Sequence, residues 1–172
     1  MYKIFGAKGS INNVEQFIHK LDDYSNKKKI EIQVFNADLI YGKNHLISSY
    51  KHAFRAWERE KNTTNSLKME LLLYASGERQ LKLAIPKMGI KKGNNNLAFI
   101  LLNKSKNKLS SIDRLVEDLL EFLSLNRHDE VLDGDNETLI KFGIDEKELK
   151  TIPSEDYEKI IIEKVALVDI IK

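Results

Sequence analysis

"MELLLYASGERQLKLAIPKMGI", Met69 to Ile90, is the stretch on which the reading of this chain turns. It opens as an apolar run, breaks at Ser76-Gly77, and resumes with an amphipathic pattern led by Arg79 and Gln80. A leucine-rich run this short before a Ser-Gly break fits a buried central strand, Met69 to Ala75. Leu81, Ala84, Ile85 and Met88 then mark the inner face of a helix that Gly89 ends. On this reading "ASGERQ" joins a strand to a helix N-terminus, where free backbone N–H groups and the helix dipole favour an anion. Ser76 is placed to cap that helix, and Arg79 in its first turn supplies a positive fork suited to phosphate. The same residues also have a purely structural use: Ser76 as cap, Gly77 for the turn, Glu78 to complement the dipole. Leu83 and Pro86 lie on the outer side near Arg79 and Lys82, and Lys91-Lys92 follow. A small basic and apolar patch is expected there.

Working outward, "YKIFGA" reads as a first strand, and Asn12-Asn13 precede a helix whose Val14, Phe17, Ile18 and Leu21 share one face. "IEIQVF", Ile30 to Phe35, alternates as a strand does. After Gly42 comes a longer helix with Leu46, Tyr50, Ala53, Phe54 and Trp57 on one side. "NTTN", Asn62 to Asn65, is a loop, and Leu97 to Leu102 is a second buried strand. Ser110 with Asp113 fits a capping box before the amphipathic run Ile112, Leu115, Val116, Leu119, Leu120 and Leu123. Asp135 or Asn136 starts a short helix through Phe142. Pro153-Ser154 opens a last helix (Tyr157, Ile160, Ile161, Val165), and "ALVDII" suits a terminal strand. Strands and helices alternate, so the expected fold class is α/β or α+β: a single domain over residues 1–172, with a mixed central sheet packed by helices.

Composition narrows the function. Of 172 residues, 42% are hydrophobic and 31% charged, enough for an ordinary core, and no apolar stretch reaches the roughly 20 residues that cross a bilayer. The start lacks the long apolar region of a secretory signal, and an intracellular, cytoplasmic protein is expected. There is no cysteine, which excludes disulfides, thiolate metal sites and a cysteine nucleophile. A formal charge of +2 announces no broad nucleic-acid surface, so any RNA contact is expected to be local. His45 and His52, with Arg59 further along, fall in one column of the long helix. Two histidines without a third ligand or a His-Glu-x-x-His pattern make a poor metal site, and a solvated polar face is expected instead. "DGDNE", Asp133 to Glu137, fails as a calcium loop because its glycine comes too early and no acidic residue closes the frame. No nucleophile elbow, Walker loop or dinucleotide fingerprint is present, so neither catalysis nor a cofactor is expected.

"NADLIYGKNHLISSYKHAF" and "NSLKMELLLYASGERQLKLAIPKMGIKKGN" together resemble the PRPK-binding protein family, the small subunit of the KEOPS complex that holds its kinase subunit. "GSINNVEQF" near the start and "IIEKVALVDI" near the end resemble its archaeal-type members in the same order. No single motif is diagnostic; the ordered set of four segments is the specific signal. Ser76, Gly77, Gln80 and Gly89 fall at matching positions. The resemblance implies a non-catalytic chain that binds the kinase-ATPase subunit directly, and through it the transferase subunit that makes N6-threonylcarbamoyladenosine in tRNA. It also implies help in capturing the tRNA 3′ CCA end. Set beside the anion-friendly corner, it makes Ser76, Gly77, Arg79, Gln80, Lys82, Lys91 and Lys92 candidates for tRNA contact. Ile162, which lies off the Tyr157/Ile161/Val165 stripe, and Leu167 are candidates for the kinase interface. A kinase-binding regulator without RNA contact, or a small-anion- or nucleotide-binding enzyme using the Ser76-Gly77 turn, are the competing readings.

Overall fold

The computed structural model describes residues 2–102 and 109–171, with side chains left out at 109–111 and 171. In chain order the elements are strand β1 (Tyr2–Ile11), helix α1 (Val14–Lys28), β2 (Glu31–Asn36), α2 (Gly42–Glu58), α3 (Leu67–Ser76), α4 (Leu81–Met88), β3 (Gly93–Leu102), α5 (Leu109–Leu123), β4 (Asn126–Arg127), α6 (Asn136–Phe142), α7 (Glu146–Leu149) and α8 (Tyr157–Ile171). Short 3-10 turns occur at Ala37–Leu39, Asp129–Leu132 and Ser154–Asp156. The chain forms two compact units, each drawn from two separated segments: residues 1–37 with 90–131, and 38–89 with 132–172.

The first unit holds the sheet, in the order β2-β3-β1-β4. Period-two alternation sends Phe5 and Ala7, Ile32 and Val34, and Leu97, Phe99 and Leu101 to one face, where α1 and α5 cover them. Phe5 and Phe99 are register partners, and their rings stack at 5.0 Å. Asn13 caps α1 by accepting the Gln16 N–H at 3.0 Å, and Phe17, Leu21 and Tyr24 form its buried stripe. Gly6 lets the chain cross close by: its carbonyl accepts from His128 N–H, its N–H donates to Asp129, and a Cβ there would stand 2.4 Å from the His128 carbonyl oxygen.

The second unit is helical and built around α3. Residues Leu71 to Ser76 are all buried, so this helix has no solvent face, the signature of a helix enclosed by others. Helices α2, α4 and α8 pack on it. They contribute Leu46 and Ala53, Ala84 and Met88, and Ile161 and Val165, all fully buried. Ser66 caps α3 by accepting from Met69 N–H. Its end is a Schellman turn: Gly77 at φ +68 donates to Tyr74, and Glu78 donates to Leu73.

Four expectations are corrected by this architecture. The α+β class stands, but each strand pairing is antiparallel, so the sheet is not mixed. Met69 to Ala75 is helix rather than strand, because a short apolar run carries no periodicity that separates the two and the Ser66 and Gly77 caps decide it. The terminal "ALVDII" continues α8 through Ile171 instead of forming a strand. Ile85 is 49% exposed and does not join Ala84 and Met88 on the inner face of α4. The Asn13 cap, the "IEIQVF" and Leu97–Leu102 strands, and the Asp135-capped helix through Phe142 occur as expected. The proposed Ser110 cap lies outside the described side chains; Asp113 pairs with Lys3 at 2.7 Å. Among the described residues no helix is long and apolar enough to cross a membrane.

Candidate functional site

"ASGERQ" lies between two helices. Ser76 is the last residue of α3, fully buried; its Oγ donates to the Leu73 carbonyl at 2.9 Å and accepts from Glu78 N–H at 3.2 Å. The corner is therefore a helix C-terminus, whose partial negative charge calls for a cation. Lys87 supplies it: Nζ donates to the Ser76 carbonyl at 2.8 Å and to Glu78 at 3.2 Å, and it lies 4.1 Å from the centre of the Phe142 ring. The expected Ser76 cap on a following helix is thus overturned. Gln80 occupies the N-cap position of α4 without a side-chain cap bond.

Arg79, Lys82, Leu83 (48% exposed) and Ile85 are exposed along this corner and α4, so the basic and apolar patch exists, beside an α4 N-terminus that begins at Gln80 rather than at Ser76. Gly77 is half-buried and held by its turn. Lys91 and Lys92 are exposed but belong to the sheet unit, where the Lys91 backbone is held in both directions by the Asn95 amide. Of the kinase-interface candidates, Leu167 is 37% exposed and Ile162 half-buried; Ile170 next along α8 is 77% exposed.

A polar cluster that the sequence reading did not single out is centred on Asp169 of α8. Tyr74 OH donates to Oδ1, Arg55 Nη2 donates to Oδ2 at 2.9 Å, and His52 Nδ1 lies 2.7 Å from Oδ2. Arg55 and His52 also meet each other at 2.7 Å. Burial by itself raises the Asp169 carboxyl, but the bonds from Tyr74, His52 and Arg55 outweigh it and hold the group below the usual carboxylate range. Burial first, then the bond to Asp169, pushes the Tyr74 phenol far up, so it stays protonated and donates. The available signal was the i, i+3 pair His52 and Arg55 on α2. Its partners are hidden in the sequence because Tyr74 and Asp169 both lie in short apolar runs that suit strands as well as helices.

His45 does not stand on a solvated face with His52: it is fully buried. Nδ1 accepts from Tyr41 N–H at 3.2 Å, and Nε2 lies 2.8 Å from the Ala75 carbonyl. Burial lowers its pKa to about 4, with Lys87 reinforcing the effect against the Ala75 bond. Both ring nitrogens are thus engaged by backbone, which leaves no metal-ligating lone pair. Among the described residues no group of three histidine, aspartate or glutamate side chains is placed to hold a metal.

These features describe a small α+β protein whose helical unit presents a mixed basic and apolar surface around one buried helix. The family described as kinase binding protein CGI-121 matches residues 9–169, and the chain belongs to that family. A relative from Methanocaldococcus jannaschii, described as regulatory protein Cgi121, is 37% identical over 65 residues. That match spans 38% of this chain and 42% of the relative, less than half of either.

Proposed function

We propose that this chain is a non-catalytic, cytoplasmic subunit of the KEOPS complex that makes N6-threonylcarbamoyladenosine in tRNA. It acts as one domain, binds the kinase-ATPase subunit directly, reaches the transferase through that subunit, and helps capture tRNA by its 3′ CCA end. The observation that carries the reading is the family match over residues 9–169. The exposed α8 side chains Leu167 and Ile170 supply an apolar surface for a protein partner. Arg79 and Lys82 supply charge for the RNA. Co-purification tests the first part: the kinase and transferase should be retained from lysate by the tagged chain, and retention of neither removes the reading. For the RNA, affinity is compared between full tRNA and tRNA lacking its 3′ end. Two or three phosphates engaged on a single strand should give a log–log salt slope of roughly −1.4 to −2.

A kinase-binding regulator without RNA contact is the second reading. It is favoured by one observation: the "ASGERQ" corner ends a helix, and Lys87 already satisfies it. Equal affinity for the two RNAs would select it. The third, an enzyme built on the Ser76-Gly77 turn, has in its favour only a turn whose polar groups are bonded internally. Turnover of ATP by the purified chain, undiminished after trace partners are removed, would revive it.

A further inference from the structure

Beside the Asp169 cluster the helical unit carries an open cleft of about 440 Å³, lined by Arg55, Ala56, Arg59, Lys61, Thr63 and Asp169. Its volume is within the range of small-molecule sites. Three of its six lining residues are cationic, against one carboxylate, so the lining is net positive. Asp169 is paired with Arg55 and also accepts from Tyr74 OH, so the net charge of the cleft resides on Arg59 and Lys61. Among the described residues, Arg59 and Lys61 form no ion pair or side-chain hydrogen bond.

Positive side chains at a helix C-terminus have an ordinary use, which is to complement the dipole and bond the last carbonyls. Here the backbone has already done the bonding. Arg59 N–H donates to Arg55, Glu60 N–H to Trp57 and Lys61 N–H to Ala56, with Glu60 at φ +55 closing the turn. The side chains of Arg59 and Lys61 are thereby free of capping and both line the cleft. Arg55 differs from them in being fixed. One terminal nitrogen is tied to Asp169 and His52, which orients the guanidinium plane, and among the described residues no other partner takes its remaining N–H donors. A held fork with two unneutralised cations beside it is the donor set for an oxyanion of charge two.

We propose that this cleft binds a phosphomonoester, the dianionic phosphate of a small metabolite-sized ligand, with Arg55 as the oriented fork and Arg59 and Lys61 as the charges that neutralise it. This site shares no residue with the RNA surface suggested above and does not depend on it.

The test is calorimetric titration of the full chain at low ionic strength with inorganic phosphate and with ribose 5-phosphate, using ribose as the phosphate-free control. Saturable binding of both phosphates and none of ribose is expected. The Arg59→Gln/Lys61→Gln double variant keeps polar, unbranched side chains and removes both charges; it should bind at least ten-fold more weakly with an unchanged thermal midpoint. Arg79→Ala serves as the control variant and should bind phosphate as the parent does. Absence of saturable phosphate binding to the parent chain overturns the proposal, as does affinity that the double variant leaves unchanged. Should the double variant unfold, Arg59→Gln and Lys61→Gln singly each give the same comparison. Displacement of ribose 5-phosphate by an RNA strand without terminal phosphates, at equal phosphate concentration, would assign the cations to a polyanion and also overturn it.

Discussion

His45 Nε2 meets the backbone carbonyl of Ala75 at 2.8 Å, linking the first turn of α2 to the last turn of the buried helix α3. Because Nδ1 accepts from Tyr41 N–H, the ring is the neutral tautomer with its proton on Nε2. A proton added at Nδ1 would face the Tyr41 N–H directly and would be buried without a counter-charge.

The first prediction concerns acid. The folded pKa of His45, about 4, lies below the 6.5 usual for histidine, so the unfolded chain takes up the proton first. The His45 contribution is fully present above pH 6.5 and is lost as pH falls toward 4. At about 1.4 kcal/mol for each tenfold change in proton affinity, the loss across that window is on the order of 3 kcal/mol. Urea denaturation at a series of pH values should show this decline, and His45→Gln should flatten it. An identical slope in the variant would assign the pH dependence elsewhere.

Glu70 is buried, and one of its carboxyl oxygens accepts from Thr63 N–H, Thr64 N–H and Thr64 Oγ1 at 3.0 to 3.1 Å. Glu70→Ala leaves these donors without that acceptor and should cost about 2 to 4 kcal/mol. Faster amide exchange at Thr63 and Thr64 should accompany the loss. Unchanged exchange there would show that the loop is held by something else.

Removing the Tyr74 hydroxyl tests the Asp169 cluster. Tyr74→Phe should destabilise by about 1 to 2 kcal/mol, the range of a bond to a charged acceptor that keeps other partners. In a double-mutant cycle with Asp169→Asn the two losses should fall short of additivity. Strict additivity would mean the two side chains do not cooperate in solution.

Gly77 holds α3 shut at φ +68, and a Cβ there would lie 3.4 Å from the Phe142 ring. Gly77→Ala should cost about 1 kcal/mol, Gly77→Asn less, and a β-branched residue more, following tolerance of the left-handed region. Thermal midpoints that do not follow this order would point to packing rather than backbone conformation as the constraint.

For the partner surface, Leu167→Glu should leave the fold intact, since the side chain is 37% exposed, and weaken kinase binding at least ten-fold. Circular dichroism with a pull-down reads both. A folded variant that binds normally would remove this part of α8 from the interface.

How legible the fold was depends on the face each element turns outward. Helices α1 and α5 alternate between buried and exposed residues and strand β2 between buried and half-buried ones, and their periods are visible in the sequence. Helix α3 is buried all round, and α8 carries apolar residues on its exposed side (Leu167, Ile170) as well as its buried one (Val165, Val168); both lose the contrast that gives a period. Reading α3 as a strand turned its C-terminus into the N-terminus of a different helix, and with it reversed the sign of the dipole at Ser76. His45 was misplaced because a helix face was inferred from the large apolar residues, Tyr50, Phe54 and Trp57. In the fold Phe54 and Trp57 are exposed, while the small residues Ser49, Ala53 and Ala56 face inward with His45. The exposed character of Arg79, Lys82, Lys91 and Lys92 followed from their chemistry alone.

That each compact unit is assembled from two separated stretches has a consequence for synthesis on the ribosome. Strand β1 precedes its long partner β3 by the whole of 38–89, and α3 waits for α8 to cover it. Through that interval a ten-residue strand edge and a helix apolar on every side are exposed together. Destabilising changes in α8 should therefore lower soluble yield more than they lower the midpoint of the folded protein.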